Sequence, residues 1–197
     1  MIIFTATVAL GGSNAYAASI FVHVVAPTGA ALPGAAVYAE PVSEPALPKT
    51  PKTTEIQQKG RKFLPPMTVV QVGTNISFPN NDTVRHHVYS LSPAKVFDLK
   101  LYAGEPENPI YFDKPGTVVV GCNIHDQMVA YIHVVSTPYF AKTDISGKAK
   151  LDGIASGTYR LKAWHASLPP SAQIPEQQIT LTESDVAANV TFNMNAR

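Results

Sequence analysis

Cysteine is almost absent from the chain, since Cys122 is the only one among 197 residues. A single cysteine excludes an internal disulfide, so this thiol is buried and inert, paired between chains, or used in chemistry. Strong charge of either sign is also absent, because the formal net charge is +1 and only 15% of the residues are charged. Such a balance gives no general attraction to nucleic acid or to an anionic membrane. We therefore expect no nucleic-acid partner.

Helical periodicity and long apolar runs are lacking as well. Short segments rich in Val, Ile, Tyr and Phe are punctuated by 17 prolines, which predicts an all-β chain. The apolar stretch 2–10 is too short to span a bilayer, and Ala15-Tyr16-Ala17, which has the small-x-small pattern of a cleavage site, follows it. Together they indicate a signal peptide over residues 1–17 and export, although a basic start is missing. The alternative is a buried N-terminal strand. No later segment is long and apolar enough to be transmembrane.

The distribution of strands and turns predicts a β-sandwich architecture arranged in successive blocks. Residues 18–45 contain a strand, a turn and a second strand, whereas residues 46–60 are rich in Pro, Thr, Glu and Lys and are predicted to be a linker. Residues 61–136 contain the strands of one domain, and residues 137–197 contain further short strands between turns. Short strands at regular spacing, separated by turn residues, are typical of sandwiches.

The residues with distinctive chemistry lie in one predicted loop. Cys122, His125 and Met128 follow the apolar run Thr117-Val118-Val119-Val120 and precede another predicted strand. A thiolate, an imidazole and a thioether are three of the four donors of a trigonal copper site with a weak axial methionine. Because strand side chains alternate, Cys122 should share the apolar face of this run, in a dry environment suited to a redox centre.

Ordinary alternatives exist for each of these residues. A lone cysteine is usually a small core residue, His125 can be a loop residue and Met128 can fill a core. The combined spacing C-x-x-H-x-x-M between two strands favours a metal site. Zinc is possible in such a site, but the thioether favours copper. A second imidazole is required, and the segment 78–90 contains two candidates, His86 and His87.

The blocks 78–87, 112–116 and 122–128 resemble the cupredoxins, the small blue copper proteins, and the short ligand loop is similar to that of amicyanin. The resemblance implies a Greek-key β-sandwich that holds one type 1 copper per chain. It also implies that His86, Cys122 and His125 form the equatorial plane and that Met128 is the axial ligand.

One position departs from the pattern of the family. An asparagine follows the first histidine ligand there, whereas His87 occupies that position here. The motif register favours His86 as the ligand. Strand alternation groups His87 with Tyr89 and Leu91, the more apolar set, and so favours His87 as the inward residue. We follow the register and keep His87 as an alternative ligand or a neighbour of the site.

The flanking segments resemble a different family, the carboxypeptidase regulatory-like domain, which is a small transthyretin-like sandwich. The resemblance rests on residues 19–38, on T-D-x-x-G at 143–147 and on G-T-Y at 157–159. It implies that the copper domain is inserted into, or joined to, this second sandwich. Together the two resemblances point to periplasmic cupredoxin-domain proteins of the methylamine-utilization type.

The leading hypothesis is a periplasmic electron carrier that is not an enzyme and that meets its redox partner proteins transiently at the His125 edge. The alternative is a copper-binding or delivery protein that exchanges the metal. A copper oxidase or nitrite reductase would need further histidine clusters, whereas the chain has only 6 scattered histidines. No nucleophile, base and orienting group are spaced as a catalytic set.

Overall fold

The computed structural model describes residues 18–43, 52–106, 108–169, 171–182 and 187–194. The predicted signal peptide, residues 1–17, lies outside the described residues. Within the described ranges the chain forms strands and turns and no helix, which confirms the all-β prediction. Accordingly, the described residues contain no helix long and apolar enough to cross a membrane.

The described residues form 17 strands. In chain order they are β1 Ala18–Val25, β2 Ala36–Pro41, β3 Thr53–Glu55, β4 Gln57–Gln58, β5 Phe63–Leu64, β6 Met67–Gln71, β7 Thr74–Ser77, β8 His86–Ser92, β9 Lys95–Tyr102, β10 Ile110–Phe112, β11 Gly116–Gly121, β12 Val129–Val135, β13 Phe140–Lys142, β14 Lys148–Ile154, β15 Gly157–Trp164, β16 Glu176–Leu181 and β17 Ala187–Asn193.

Strands from the two ends of the chain build one sandwich, here called the terminal sandwich (β1, β2 and β13 to β17). Its two sheets have the strand orders β14-β1-β17 and β13-β2-β15-β16. β1 pairs antiparallel with β14 and parallel with β17, so the first strand is the middle strand of its sheet. Apolar side chains from both sheets share one core cluster, which includes Ile20, Val37, Leu161 and Phe192.

The strands in between, β3 to β12, build the central sandwich. Its sheets have the strand orders β10-β7-β3 and β6-β12-β11-β8-β9, and β4 and β5 form a separate pair. The core between the sheets includes Ile76, Phe78, Phe112 and Ile132, all with 0% exposure. This second core cluster has no member in common with the core of the terminal sandwich.

The segment 46–60, predicted as a linker, is only partly a connection. β3 pairs parallel with β7, and β4 pairs antiparallel with β5. Between and within these strands, Ile56 and Gln58 are completely buried. The linker prediction was wrong over residues 53–58, because these polar-looking strands obtain their hydrogen bonds from segments further along the chain. The part of the predicted linker over residues 46–51 lies outside the described residues.

The two sandwiches are in contact through a cluster of rings. Trp164 of β15 stacks on His133 of β12 with centroids 4.8 Å apart and an interplanar angle of 8°. Tyr38 of β2 approaches the same imidazole at 5.3 Å, and Tyr131 approaches the indole of Trp164 at 5.9 Å. The imidazole of His133 also hydrogen-bonds Thr117 Oγ1 at 3.1 Å. The terminal sandwich therefore covers the β12 part of the outer face of the five-stranded sheet.

Candidate metal centre

The predicted ligand loop joins two neighbouring antiparallel strands of the five-stranded sheet. β11 ends at Gly121, β12 begins at Val129, and the two strands pair with each other. Within the loop, Cys122 N–H donates to the Met128 carbonyl at 3.2 Å, and Met128 N–H donates to the His125 carbonyl at 2.8 Å. These bonds close the loop on itself and pair several of its backbone polar groups within the loop.

Cys122 continues the inward face of β11. Val118 and Val120 are completely buried, and Cys122 has only 4% exposure. The three side chains belong to the core cluster of the central sandwich. The sequence-based expectation that the sulfur has an apolar environment is therefore met.

His86 reaches the same place from the start of β8. Its side chain has 0% exposure, and its Nδ1 lies 3.8 Å from Cys122 Sγ. His125 Nδ1 lies 3.7 Å from the same sulfur. The two Nδ1 atoms are 3.2 Å apart. His86, Cys122 and His125 thus form the one group of at least three His, Cys, Asp or Glu residues, among those the structure describes, whose ligand atoms are close enough to hold one metal ion.

The spacing of the three donor atoms fits a shared metal ion. Bonds of about 2.0 Å to imidazole nitrogen and about 2.3 Å to thiolate sulfur are usual for a first-row ion such as Zn²⁺. In a trigonal plane such bonds place the nitrogens about 3.5 Å apart and each nitrogen about 3.7 Å from the sulfur. The observed distances of 3.2, 3.7 and 3.8 Å lie close to these values. The donor set, two imidazoles and a thiolate, is the one that copper electron-transfer sites use.

Met128 lies in the same buried region. Its side chain has 1% exposure and belongs to the core cluster that contains Cys122. Next to the site, Arg61, His125, Asp126, Gln127 and Met128 line an open cavity of about 330 Å³. His125 is only partly buried, whereas His86 is completely buried. The centre is thus closed towards the core and approached by solvent on the His125 side.

The structure separates the two histidines that the sequence left as alternatives. His87 lies on the opposite face of β8, where its Nε2 hydrogen-bonds Asp98 and its ring meets Tyr89 at 5.7 Å. The alternation argument for His87 was wrong because the inward set on β8 is His86, Val88 and Ser90. The apolar residues used to choose the face point outwards, and Leu91 is 78% exposed.

A carboxylate completes the surroundings of His86. Asp82 Oδ2 accepts a hydrogen bond from His86 Nε2 at 2.8 Å. Burial by itself raises the pKa of the Asp82 carboxyl, but hydrogen bonds from Arg61 N–H, from His86 and from Gly60 N–H outweigh burial and lower this pKa below its ordinary value. Asp82 is consequently an anion at neutral pH, and it acts as an acceptor towards His86.

Sequence reasoning gave Asp82 no role. The available signal was weak, because it consisted of one acidic residue in an Asn-rich turn, four positions before a histidine. The turn itself is organised by Asn80, which is 3% exposed. Its Nδ2 donates to the carbonyls of Val84 and Tyr102, and its Oδ1 accepts from Asp82 N–H at 3.0 Å. Asn80 therefore fixes the turn that places the Asp82 carboxylate within hydrogen-bond distance of His86 Nε2.

Comparison with known proteins gives similarities among solved structures only. No protein family profile matches the chain, and no curated protein matches it either. A copper-containing nitrite reductase from Thermus scotoductus SA-01 is 28% identical over 49% of this chain, with a TM-score of 0.39, and the match covers 25% of the length of that protein. This chain therefore spans about a quarter of that protein.

Two smaller proteins are also similar. A single-site mutant of amicyanin in its Cu(I) form is 17% identical, with a TM-score of 0.39, and the match covers 42% of this chain and 82% of that one. A purple cupredoxin from Nitrosopumilus maritimus is 20% identical, with a TM-score of 0.37, and the match covers 42% of this chain and 99% of that one. Because these TM-scores are low, the fold and the candidate site of this chain rest on its own strands, burial and donor distances.

Proposed function

We propose that the chain binds one copper ion between His86 Nδ1, Cys122 Sγ and His125 Nδ1, with Met128 as a weak axial ligand, and that it carries single electrons. The observation behind the proposal is the convergence of these three donor atoms, from β8 and from the β11–β12 loop, in an apolar pocket. A copper ion held by this donor set would supply reversible one-electron redox chemistry.

The surroundings of the donors support electron transfer. His86 and Cys122 are buried among apolar side chains, and the loop that bears Cys122 and His125 is closed by its own backbone hydrogen bonds. Such packing keeps the donors in nearly the same positions in both oxidation states. The partly exposed imidazole of His125 offers the short route to a partner protein, and a transient redox encounter needs only a small contact area.

A second function, copper delivery, is favoured by one observation. The open cavity beside His125 and Met128 gives a copper donor or acceptor access to the site. In both functions the partners are transient proteins, and we propose no nucleic-acid partner and no enzymatic reaction.

The proposal extends to the organisation and location of the chain. We assign the central sandwich to a cupredoxin-type module and the terminal sandwich to a carboxypeptidase regulatory-like module into which the first is inserted. The separate core clusters of the two sandwiches support this division. A periplasmic location and a part in methylamine utilization follow from the sequence resemblance and belong to the same proposal.

Titration of the purified protein with Cu(II), followed by visible absorption and electron paramagnetic resonance, tests the site. We expect one equivalent to give an intense thiolate-to-copper band with narrow hyperfine splitting. Cys122→Ser and His86→Ala should abolish the band, whereas the matched variant His87→Ala should retain it. A colourless complex, or an identical band in Cys122→Ser, would refute the type 1 site.

The same preparation separates the two functions. An electron carrier keeps its copper against a competing chelator and is reduced and reoxidised without loss of the metal. A delivery protein gives up Cu(I) to the chelator within the time needed for mixing. Release of copper on every reduction cycle would therefore favour copper delivery over electron transfer.

A further inference from the structure

The neighbours His86 and His87 each hydrogen-bond a carboxylate, and the two pairs lie on opposite faces of β8. His86 Nε2 contacts Asp82, whereas His87 Nε2 contacts Asp98. The environments of the carboxylates differ, because the side chain of Asp82 is 14% exposed and that of Asp98 is 53% exposed. The chain therefore contains one sheltered pair at the candidate metal centre and one solvated pair outside it.

The turn between β4 and β5 donates two backbone hydrogen bonds to the Asp82 carboxylate. Its Oδ1 accepts from Gly60 N–H at 2.6 Å and its Oδ2 accepts from Arg61 N–H at 2.9 Å. Both donors have left-handed backbone, with φ of 60° at Gly60 and 53° at Arg61. A left-handed conformation is costly for a residue such as arginine, so it persists only where the surroundings impose it. Here it directs two successive N–H groups at one anion.

This arrangement decides which nitrogen of His86 is free. A carboxylate only accepts hydrogen bonds, so the proton of a neutral His86 imidazole lies on Nε2. The lone pair of Nδ1 then points towards Cys122 Sγ and His125 Nδ1, which are 3.8 and 3.2 Å away. A carboxylate on the far nitrogen also raises the basicity of a ligating imidazole.

We propose that Asp82 is a positioning residue for the metal centre. Clamped by Gly60 and Arg61, its carboxylate fixes the tautomer and the orientation of His86, and its negative charge favours the more positive oxidation state of a bound copper ion. This inference rests on the proposed copper site, but its effect on His86 exists without metal. It also makes the β4–β5 turn, which holds Asp82 through Gly60 N–H and Arg61 N–H, part of the construction of the site.

Asp82→Asn is the informative variant, and Asp98→Asn is its matched control at the solvated pair. In metal-free wild-type protein, ¹⁵N nuclear magnetic resonance of the ring nitrogens should show His86 as the Nε2–H tautomer. In Asp82→Asn both tautomers should be populated, because an amide can either accept from the ring or donate to it. Asp98→Asn should leave the His86 signals unchanged. The Nδ1–H tautomer in the wild type would overturn the inference without any variant.

Copper binding provides the second readout. Loss of a partner of this kind typically lowers metal affinity 10- to 100-fold, and we expect Asp82→Asn to lose at least about tenfold in Cu(II) affinity and less in Cu(I) affinity. Each tenfold preferential loss of Cu(II) raises the reduction potential by about 59 mV. Asp98→Asn should keep the wild-type potential. The same tautomer populations of His86 and the same reduction potential in Asp82→Asn and Asp98→Asn would refute the role of Asp82.

The two proposals fail in different ways. If the wild type binds no copper, the proposed function fails, and the tautomer of His86 in the metal-free protein alone decides the role of Asp82. If Cys122→Ser abolishes the blue band while Asp82→Asn behaves like Asp98→Asn, the copper site stands and the inference falls.

Discussion

Lowering the pH should reduce the free energy of unfolding through one buried imidazole at the contact between the two sandwiches. His133 is 2% exposed and is stacked on Trp164. Burial lowers its pKa from 6.5 to about 4, because a charged imidazole would lose its hydration there. The folded protein therefore holds His133 neutral at pH values where the unfolded chain would already protonate it.

The sign of the effect follows from proton uptake. Between pH 6.5 and about 4 the unfolded chain binds one proton more than the folded protein at this residue, so the free energy of unfolding falls as the pH falls. The stabilisation is complete above pH 6.5 and lost at about pH 4. One pKa unit corresponds to about 1.4 kcal/mol. The shift amounts to about 3 kcal/mol in full, and most of this is lost by about pH 4.5.

The assay is urea unfolding of the wild type and of His133→Gln at about pH 7.5 and about pH 4.5. With an unfolding slope of about 2 kcal/mol per molar urea, the midpoint of the wild type should fall by roughly 1 M more than that of the variant. The comparison cancels contributions from other titrating groups. Equal shifts in the two proteins, or an imidazole signal of His133 that titrates near pH 6.5 in the folded protein, would refute the reasoning.

Two substitutions test the terminal sandwich by the same unfolding measurement. Gly147→Ala should be strongly destabilising, because the added Cβ would lie 2.5 Å from the Val24 carbonyl oxygen. Gly153→Ala is the control, since Gly153 has a similar φ but an added Cβ would meet no atom within 4 Å. Equal losses of stability in the two variants would show that backbone strain, and not the clash, is decisive. Thr143→Val should cost about 1–3 kcal/mol, because the buried hydroxyl of Thr143 accepts from Ala35 N–H at 2.8 Å and donates to a backbone carbonyl; an unchanged midpoint would mean that water replaces both bonds.

Local sequence was sufficient for most of the strands and for the ligand loop. The period of two in β11 places Val118, Val120 and Cys122 on one face whatever the rest of the chain does, because successive strand side chains alternate. The spacing of Cys122, His125 and Met128 in a short loop then keeps these residues together. Both expectations follow from chain geometry within about a dozen residues, and the structure agrees with them.

The wrong linker prediction and the open alternative between His86 and His87 both arise where the partner of a residue is distant in the sequence. Residues 53–58 lack an apolar pattern, yet they are strands because β7 and β5 supply their hydrogen bonds. The choice between His86 and His87 depended on which face of β8 meets the other sheet. Hydropathy suggested the wrong face, since Tyr89 and Leu91 lie on the outer side of the sheet, where Leu91 is exposed.

The sequence by itself determined an all-β chain and a loop that brings a thiolate, an imidazole and a thioether close together, because strand alternation and loop spacing are local properties. Only the tertiary structure decided that His86, rather than His87, lies beside Cys122 and His125. It also decided that Asp82, held by Gly60 and Arg61, accepts a hydrogen bond from the Nε2 of His86. Those contacts join segments that lie apart in the sequence, so local periodicity does not predict them. Sheet packing and the closure of distant turns bring them together.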